Sequence, residues 1–224
     1  MFFPFLPQVL FQKVTKEVLA RMGKGQHQFP TVARSRGDSL PIDIATCTLS
    51  DLLWLFVERE RLQLTALAAA LHAKLSGGSK LFDVWMLESS DEIQSAAMSF
   101  GSRVALQQSV AVLQRMGERY SSGARDQRTQ RVLTELLQLY ALRRIEIDLP
   151  WFLTTRTLDL AQGAAVGQRV RALCRSIAPF ALPLVKGFGI PAHLCIAPIA
   201  ADWVEYNRAD NRGEVKNDLT FLKQ

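Results

Sequence analysis

The chain has 224 residues, of which 48% are hydrophobic and 21% are charged, and its net charge at pH 7 is +6. This length allows one large or two small domains, and the composition excludes an intrinsically disordered chain because it offers enough apolar surface for a core. The sequence has no run of about 18 uncharged apolar residues, so it predicts no membrane span.

Apolar residues at helical spacing predict five main helices. In chain order they run from Pro7 to Met22, from Ser50 to Gly77, from Asp83 to Met116, from Asp126 to Pro150, and from Leu158 to Gly187. Ser50 and Asp51 are expected to cap the second helix at the positive end of its dipole. Convincing strand alternation appears nowhere, so the sequence predicts an all-α helical bundle of about five main helices.

Each of the long helices carries an apolar stripe that predicts bundle packing. The stripes of the second, third and fifth helices are Leu53, Val57, Glu60, Leu64, Leu67 and Leu71; Ile93, Ala97, Phe100 and Val104; and Val166, Val170, Leu173 and Ile177. The fourth helix has two adjacent stripes, Val132, Leu136 and Leu139 beside Leu133, Leu137 and Tyr140. Because its apolar arc is wide, this helix is expected to pack on more than one neighbour.

Prolines mark the ends of several predicted helices. Pro150 is expected to kink or end the fourth helix, because it lacks an amide donor and clashes one turn back. Pro179 and Pro183 are expected to bend the later turns of the fifth helix. Pro191 and Pro198 suit the first turns of two short helices.

Glu60 is unusual because it falls on the apolar stripe of the second helix. A buried carboxylate is costly unless a cation meets it, so we expect an arginine from a facing helix to pair with Glu60. Arg59 and Arg61 adjoin Glu60 in sequence but point elsewhere. A substrate-binding role is the alternative, and an ion pair that fixes the helix register is the favoured interpretation.

The remaining chemical groups predict neither a metal site nor a disulfide. The three histidines, His27, His72 and His193, have no second ligand at helical or turn spacing. The three cysteines, Cys47, Cys174 and Cys195, lie far apart in apolar surroundings. We interpret them as buried thiols of a reducing compartment.

Two short motifs resemble the sequence signatures of functional sites. Residues 97–101, AMSFG, resemble a nucleophile elbow, but Ser99 lies within a predicted helix rather than at a strand-to-helix turn. Residues 187–192, GFGIPA, fit the dinucleotide pattern G-x-G-x-x-A. They follow a helix instead of a strand, and Pro191 has no amide to offer a phosphate, so we interpret them as a helix stop.

The stretch from Arg103 to Arg144 is basic, with eight arginines against three acidic residues. A nucleic-acid groove is one interpretation of this charge. However, only two aromatic residues, Tyr120 and Tyr140, accompany the arginines, and no binding motif does. We therefore favour solvated helix faces and ion pairs between helices, and we expect no nucleic-acid partner.

Ordered motifs along the second half of the chain carry a family resemblance. They are the run LQLYALRRIEIDLPWFL ending at Leu153, Leu184-Val185, Phe188 to Pro191, Ala197 to Ala200, Asp202 to Asn207, Asp210-Asn211 and Gly213 to Val215. This order resembles the C-terminal helical domain of acyl-CoA oxidases. The earlier pattern of Glu58 to Arg61, a long helix, Phe82-Asp83 and Trp85 is similar to the preceding part of the same domain.

The resemblance implies part of a flavin-dependent enzyme of fatty acid β-oxidation. The whole enzyme converts acyl-CoA and O2 to trans-2-enoyl-CoA and H2O2, using a glutamate base and FAD. In that family the base, the flavin-binding residues and the acyl pocket precede the region matched here. We therefore assign no catalytic, cofactor-binding or metal-binding residue, expect no FAD on this chain alone, and expect a structural and dimerisation role beside a flavin-bearing portion or second subunit.

The resemblance also suggests a division of the chain and a location. Residues 1–48 are interpreted as an N-terminal helix and connecting loop, the remnant of a junction with a flavin-binding part, and residues 49–224 as the oxidase-like domain. A peroxisomal location is implied by the family, although Leu222-Lys223-Gln224 is no targeting tripeptide, and a cytoplasmic one is the alternative. The alternative function is a non-enzymatic helical scaffold or protein-interaction module.

Overall fold

The computed structural model of the chain describes residues 5–32, 42–119, 123–195, 197, 202, 204, 205 and 208. These residues contain helices and no strand, which confirms the predicted all-α class. The predicted short helix at Pro198 and most of the motifs after residue 195 lie outside the described residues. No helix within the described part is long and apolar enough to cross a bilayer.

Five helices of 18 residues or more dominate the structure, as predicted. The α-helices are α1 (Phe5–Gly23), α2 (Leu49–Ser76), α3 (Leu81–Asp83), α4 (Ser90–Arg119), α5 (Ala124–Ile147), α6 (Leu149–Thr154), α7 (Leu160–Ile177) and α8 (Ala181–Lys186). A π-helical segment, Val84–Glu88, joins α3 to α4, and 3-10 turns cover Ala178–Phe180 and Ala192–Leu194. The chain divides into two compact units, residues 1–177 and 178–224.

The N-cap of helix α2 lies two residues before the predicted cap. Thr48, not Ser50, is the N-cap: its hydroxyl accepts a hydrogen bond from the Asp51 amide at 3.2 Å. The Asp51 carboxylate in turn accepts one from the Thr48 amide at 2.9 Å. This reciprocal capping box needs an acceptor three residues after the cap, and Asp51 stands in that position only for Thr48.

The predicted third helix is interrupted near its start. The Ser89 amide donates to the Val84 carbonyl at 3.0 Å, five residues back, and Ser89 itself leaves helical geometry. The wider turn places Val84 in the core, where it is 0% exposed. It also allows Lys74 on α2 to reach Glu88 at 3.2 Å, so the irregular turn is fixed from both sides.

Helices α2 and α4 pack antiparallel and form the centre of the first unit. Their contacts run in opposite order, from Lys74 with Ser89 at one end, through Glu60 with Arg103, to a cavity shared by the start of α2 and the end of α4. The whole predicted stripe of α2 is buried, and α1 packs on α4. Together α1, α2 and α4 enclose a core of Val18, Leu64, Leu67, Leu71, Val84, Ile93 and Ala96.

A buried threonine also joins α1 to α4. Thr15 is 0% exposed, and its hydroxyl donates to the Ile93 carbonyl at 2.9 Å. This bond satisfies a hydroxyl that burial would otherwise leave without a partner. Helix α1 therefore belongs to the same packed unit as α2 and α4, while the predicted boundary at residue 48 stays a prediction.

Helix α5 contacts α2, α4 and α7, as its wide apolar arc predicted. The predicted stripes were partly wrong, because Leu136 and Tyr140 are each 37% exposed. The buried side chains lie mainly in the last turns, at Ala141, Leu142 and Ile145. There α5 ends before Pro150, as predicted, and α6 starts at once with Phe152 fully buried.

The fifth main helix ends earlier than the prediction allowed. All four stripe residues of α7 are buried, but the helix stops at Ile177 and does not continue through the prolines. Pro179 cannot supply the amide that the next helical turn requires, so the chain passes into a 3-10 turn. The separate helix α8 follows in the second unit and ends at Lys186, with Gly187 as its C-cap.

Candidate functional site

The first candidate site is the buried ion pair between Glu60 of α2 and Arg103 of α4. Arg103 Nε lies 2.5 Å from Glu60 Oε2, and Arg103 Nη2 lies 3.1 Å from Glu60 Oε1. The Glu60 side chain is 0% exposed and that of Arg103 is 8% exposed. The expected arginine from a facing helix is thus present, and both carboxylate oxygens are engaged.

Neighbouring groups complete the surroundings of this pair. Arg103 also donates from Nη1 to Gln107 at 2.7 Å, and its guanidinium lies 5.1 Å from the centre of the Phe100 ring. His27, in the segment after α1, places Nε2 at 3.4 Å from Glu60 Oε1. The His27 ring meets Phe29 edge to face at 4.8 Å. Three segments that are distant in sequence therefore converge on one carboxylate.

A second buried charge joins α2 to the junction between α5 and α6. Arg59 is 4% exposed at its side chain and lies 3.0 Å from the Asp148 carboxylate, which Arg144 approaches at 3.9 Å. Burial lowers the pKa of Arg59, Asp148 opposes that change, and Arg144 adds to it. Arg59 therefore points away from Glu60, as predicted, and fixes the chain where α5 ends.

Both clusters are better suited to holding helices than to chemistry. A general base needs a carboxylate that a substrate can reach and whose lone pairs are free. Glu60 is fully buried, and the Arg103 guanidinium binds both of its oxygens. Among the described residues, no three His, Cys, Asp or Glu side chains come close enough together to hold a metal ion.

An open cavity of about 450 Å³ lies where the start of α2 meets α4, α5 and α7. Among the described residues that line it, Arg169 carries the one charged side chain. Gln138 donates to the Cys47 carbonyl at 3.3 Å on the same wall. Burial raises the pKa of the Cys47 thiol to about 11, so almost no thiolate exists at neutral pH. This cavity therefore lacks an activated nucleophile.

The other thiols and histidines do not gather into a site. Cys47 is buried as predicted, but the predicted burial of Cys174 and Cys195 is wrong, since both are exposed. All three thiols are free. His72 and His193 are exposed as well, so His27 is the histidine that the fold brings against a charged partner.

The two motifs that resemble functional signatures, residues 97–101 and 187–192, are parts of the helical structure, as their helical context predicted. Ser99 lies inside α4 at 1% exposure, and its hydroxyl donates to the Ala96 carbonyl at 2.8 Å. Gly187 closes α8, and Gly189 adopts a φ of 63°, which favours glycine. The run from Gly187 does not fit a flavin diphosphate, because a strand-to-helix turn with converging amides is missing there.

Comparison with known families identifies the family to which the chain belongs. The family model of acyl-CoA oxidase matches residues 48–202, more than two thirds of the chain. The chain belongs to the acyl-CoA oxidase family. The match covers α2 to α8 and includes both buried ion pairs.

Solved acyl-CoA oxidases share this fold. The crystal structure of acyl-CoA oxidase-1 from Caenorhabditis elegans in complex with FAD and ATP matches with a TM-score of 0.60 and 17% identity, over 82% of this chain and 27% of the worm chain. An apo form of the same enzyme matches with a TM-score of 0.61 and 17% identity, over 82% and 29% of the two chains. The chain thus spans less than a third of the length of these oxidases. No curated protein matches its sequence.

Proposed function

We propose that this chain is the C-terminal helical portion of a flavin-dependent acyl-CoA oxidase. Its role is structural: it packs on the flavin-bearing portion, contributes to the dimer, and has no activity alone. The observation that carries this proposal is the family match over residues 48–202 in a chain that spans less than a third of the solved oxidases.

The chemistry of the described residues favours a structural role. Two ion pairs with buried members connect helical segments. They are Glu60 with Arg103 and Arg59 with Asp148. Burial raises the pKa of the Cys47 thiol, so it is almost entirely protonated and a poor nucleophile at neutral pH. These side chains hold the helices in register, so that the outer surface of the bundle has a fixed shape.

The complete enzyme would carry out the peroxisomal type of β-oxidation reaction, acyl-CoA and O2 giving trans-2-enoyl-CoA and H2O2. The flavin-bearing portion would hold FAD, and FAD would supply the acceptor for the β hydride and the route for electrons to oxygen. The α proton goes to a carboxylate base of that same portion. This chain supplies none of these groups and keeps the portion in its active form.

Reconstitution of the two portions tests the proposal. The full chain and a separately expressed flavin-bearing portion of an acyl-CoA oxidase are purified alone and together. Size-exclusion chromatography measures association, visible absorbance measures bound flavin, and a peroxidase-coupled assay measures H2O2 formed from an acyl-CoA. We expect a complex that contains both polypeptides and produces more H2O2 than the flavin-bearing portion does alone.

Two results would overturn the proposal. The first is a purified chain that carries flavin in near-stoichiometric amount and forms H2O2 by itself. The second is no association at any concentration that keeps both polypeptides folded. The matched control is the flavin-bearing portion mixed with an unrelated helical bundle of similar size and charge, which should not change its activity.

A further inference from the structure

The described residues of the second unit form helical turns without a buried side chain. Helix α8 has six residues and stands between two 3-10 turns. Among these residues only Phe180 and Leu184 are half-buried, and the others whose side chains are described are exposed. Isolated helices of this length are not stable in water, so the segment needs a surface to pack against.

The segment has large exposed apolar side chains that could pack against such a surface, and we name them together the apolar face. It consists of five residues, each at least 60% exposed: Leu182 (63%), Val185 (60%), Phe188 (77%), Ile190 (61%) and Leu194 (61%). Single exposed apolar residues are ordinary on proteins, whereas five within 13 positions indicate an interaction site. The turn at Gly187 and the left-handed Gly189 set their arrangement.

The charge around the apolar face indicates the chemistry of its partner. The sequence has no acidic residue between Asp159 and Asp202, and Lys186 is the one fully charged residue between Ile177 and Asp202. A complementary surface is therefore apolar at its centre and carries carboxylates, not basic groups, at its edge.

Family membership indicates where such a surface lies. The match to the acyl-CoA oxidase family extends to residue 202, so the apolar face belongs to the family domain. In the solved oxidases more than two thirds of each chain lies outside the region matched here. We infer that the apolar face of residues 182–194 is the docking surface for the flavin-bearing portion of an acyl-CoA oxidase, an inference that rests on the proposed function.

A second group of exposed apolar side chains allows specific docking to be distinguished from non-specific apolar binding. Leu81, Phe82 and Leu87 are 61%, 67% and 72% exposed in the first unit. Their segment is already anchored, because Val84 is fully buried and Trp85 packs against the core. It needs no partner to keep its shape, so it serves as a control surface of similar exposure.

The experiment compares matched variants of the full chain. Val185→Asp with Phe188→Asp changes the apolar face, and Phe82→Asp with Leu87→Asp changes the control surface. Isothermal titration measures the Kd of each for the flavin-bearing portion. Because central apolar anchors dominate interface affinity, we expect the first variant to bind about 100-fold more weakly and the second within about 3-fold of the unchanged chain. Circular dichroism checks that both keep their helices.

Each outcome separates the inference from the proposed function. If the unchanged chain does not bind, the proposed function fails together with the inference. If the unchanged chain binds and the Val185/Phe188 variant binds equally well, the inference fails and the proposed function stands. Sedimentation of the chain alone adds one result: self-association abolished by the same variant would identify a second copy as the occupant and overturn the inference.

Discussion

Replacing Arg103 by leucine leaves the Glu60 carboxylate fully buried without its guanidinium partner. Glu60 is 0% exposed and is bound at both oxygens, so water cannot replace what is lost. Breaking one partner of such a pair costs about 3–5 kcal/mol in the free energy of unfolding. The attraction of two unit charges about 4 Å apart at an effective dielectric constant of about 20 is of the same size, roughly 4 kcal/mol.

His27 limits this loss without removing it. Its Nε2 atom is 3.4 Å from Glu60 Oε1, too far for a strong hydrogen bond, so the carboxylate stays poorly compensated. For a domain of this size each kcal/mol corresponds to about 2–4 °C in Tm. We therefore expect Arg103→Leu to lower Tm by roughly 10 °C.

Urea unfolding followed by circular dichroism measures the loss in free energy of unfolding, and a thermal scan measures the change in Tm. Arg61→Leu is the matched control, because Arg61 pairs with Glu58 at a side-chain exposure of 45% and should cost less than about 1 kcal/mol. The double variant Glu60→Leu with Arg103→Leu removes both charges and should recover most of the stability. The reasoning is refuted if Arg103→Leu costs no more than Arg61→Leu, or if the double variant costs the sum of its single changes.

Three further predictions concern the cap, the thiols and a half-buried carboxylate. Thr48→Ala removes the observed N-cap and should cost about 1 kcal/mol in chemical unfolding, whereas Ser50→Ala should cost little. In the native protein at pH 8, Ellman's reagent should modify the two exposed thiols and reach Cys47 only after unfolding; rapid modification of all three would contradict its burial. A hydrogen bond from a serine lowers the pKa of Glu135, so its stabilising effect is present above the ordinary glutamate pKa of about 4.3 and is lost as pH falls through the lowered value. Stability measured from pH 6 to pH 3 should therefore fall more steeply in the unchanged chain than in Glu135→Gln, and parallel curves would argue against this.

Much of the fold could be predicted from local pattern. Leu64, Leu67 and Leu71 share a face of α2 because of helical periodicity alone, and that face is buried. Pro150 ends α5 because its backbone chemistry acts within one turn. The same periodicity failed for Leu136 and Tyr140, since an apolar stripe does not reveal how far a neighbouring helix extends along it.

The candidate site was only half predictable. The position of Glu60 on an apolar stripe required a cation, and this followed from the cost of a buried charge. No sequence signal selected Arg103 from the many arginines, and none pointed to His27, which reaches Glu60 from another segment. The exposure of Cys174 and Cys195 was missed for the same reason, because burial depends on neighbours that are distant along the chain.

The sequence by itself determined the helical class, the buried faces of α2 and α7, and the need for a cation beside Glu60. Each of these follows from properties that act over one or two helical turns or from the cost of a buried charge. Only the tertiary structure decided which cation meets Glu60, where the π turn interrupts the third helix, and which apolar residues after Ile177 remain exposed. These features depend on which surfaces approach one another in space, and local spacing carries no information about that approach.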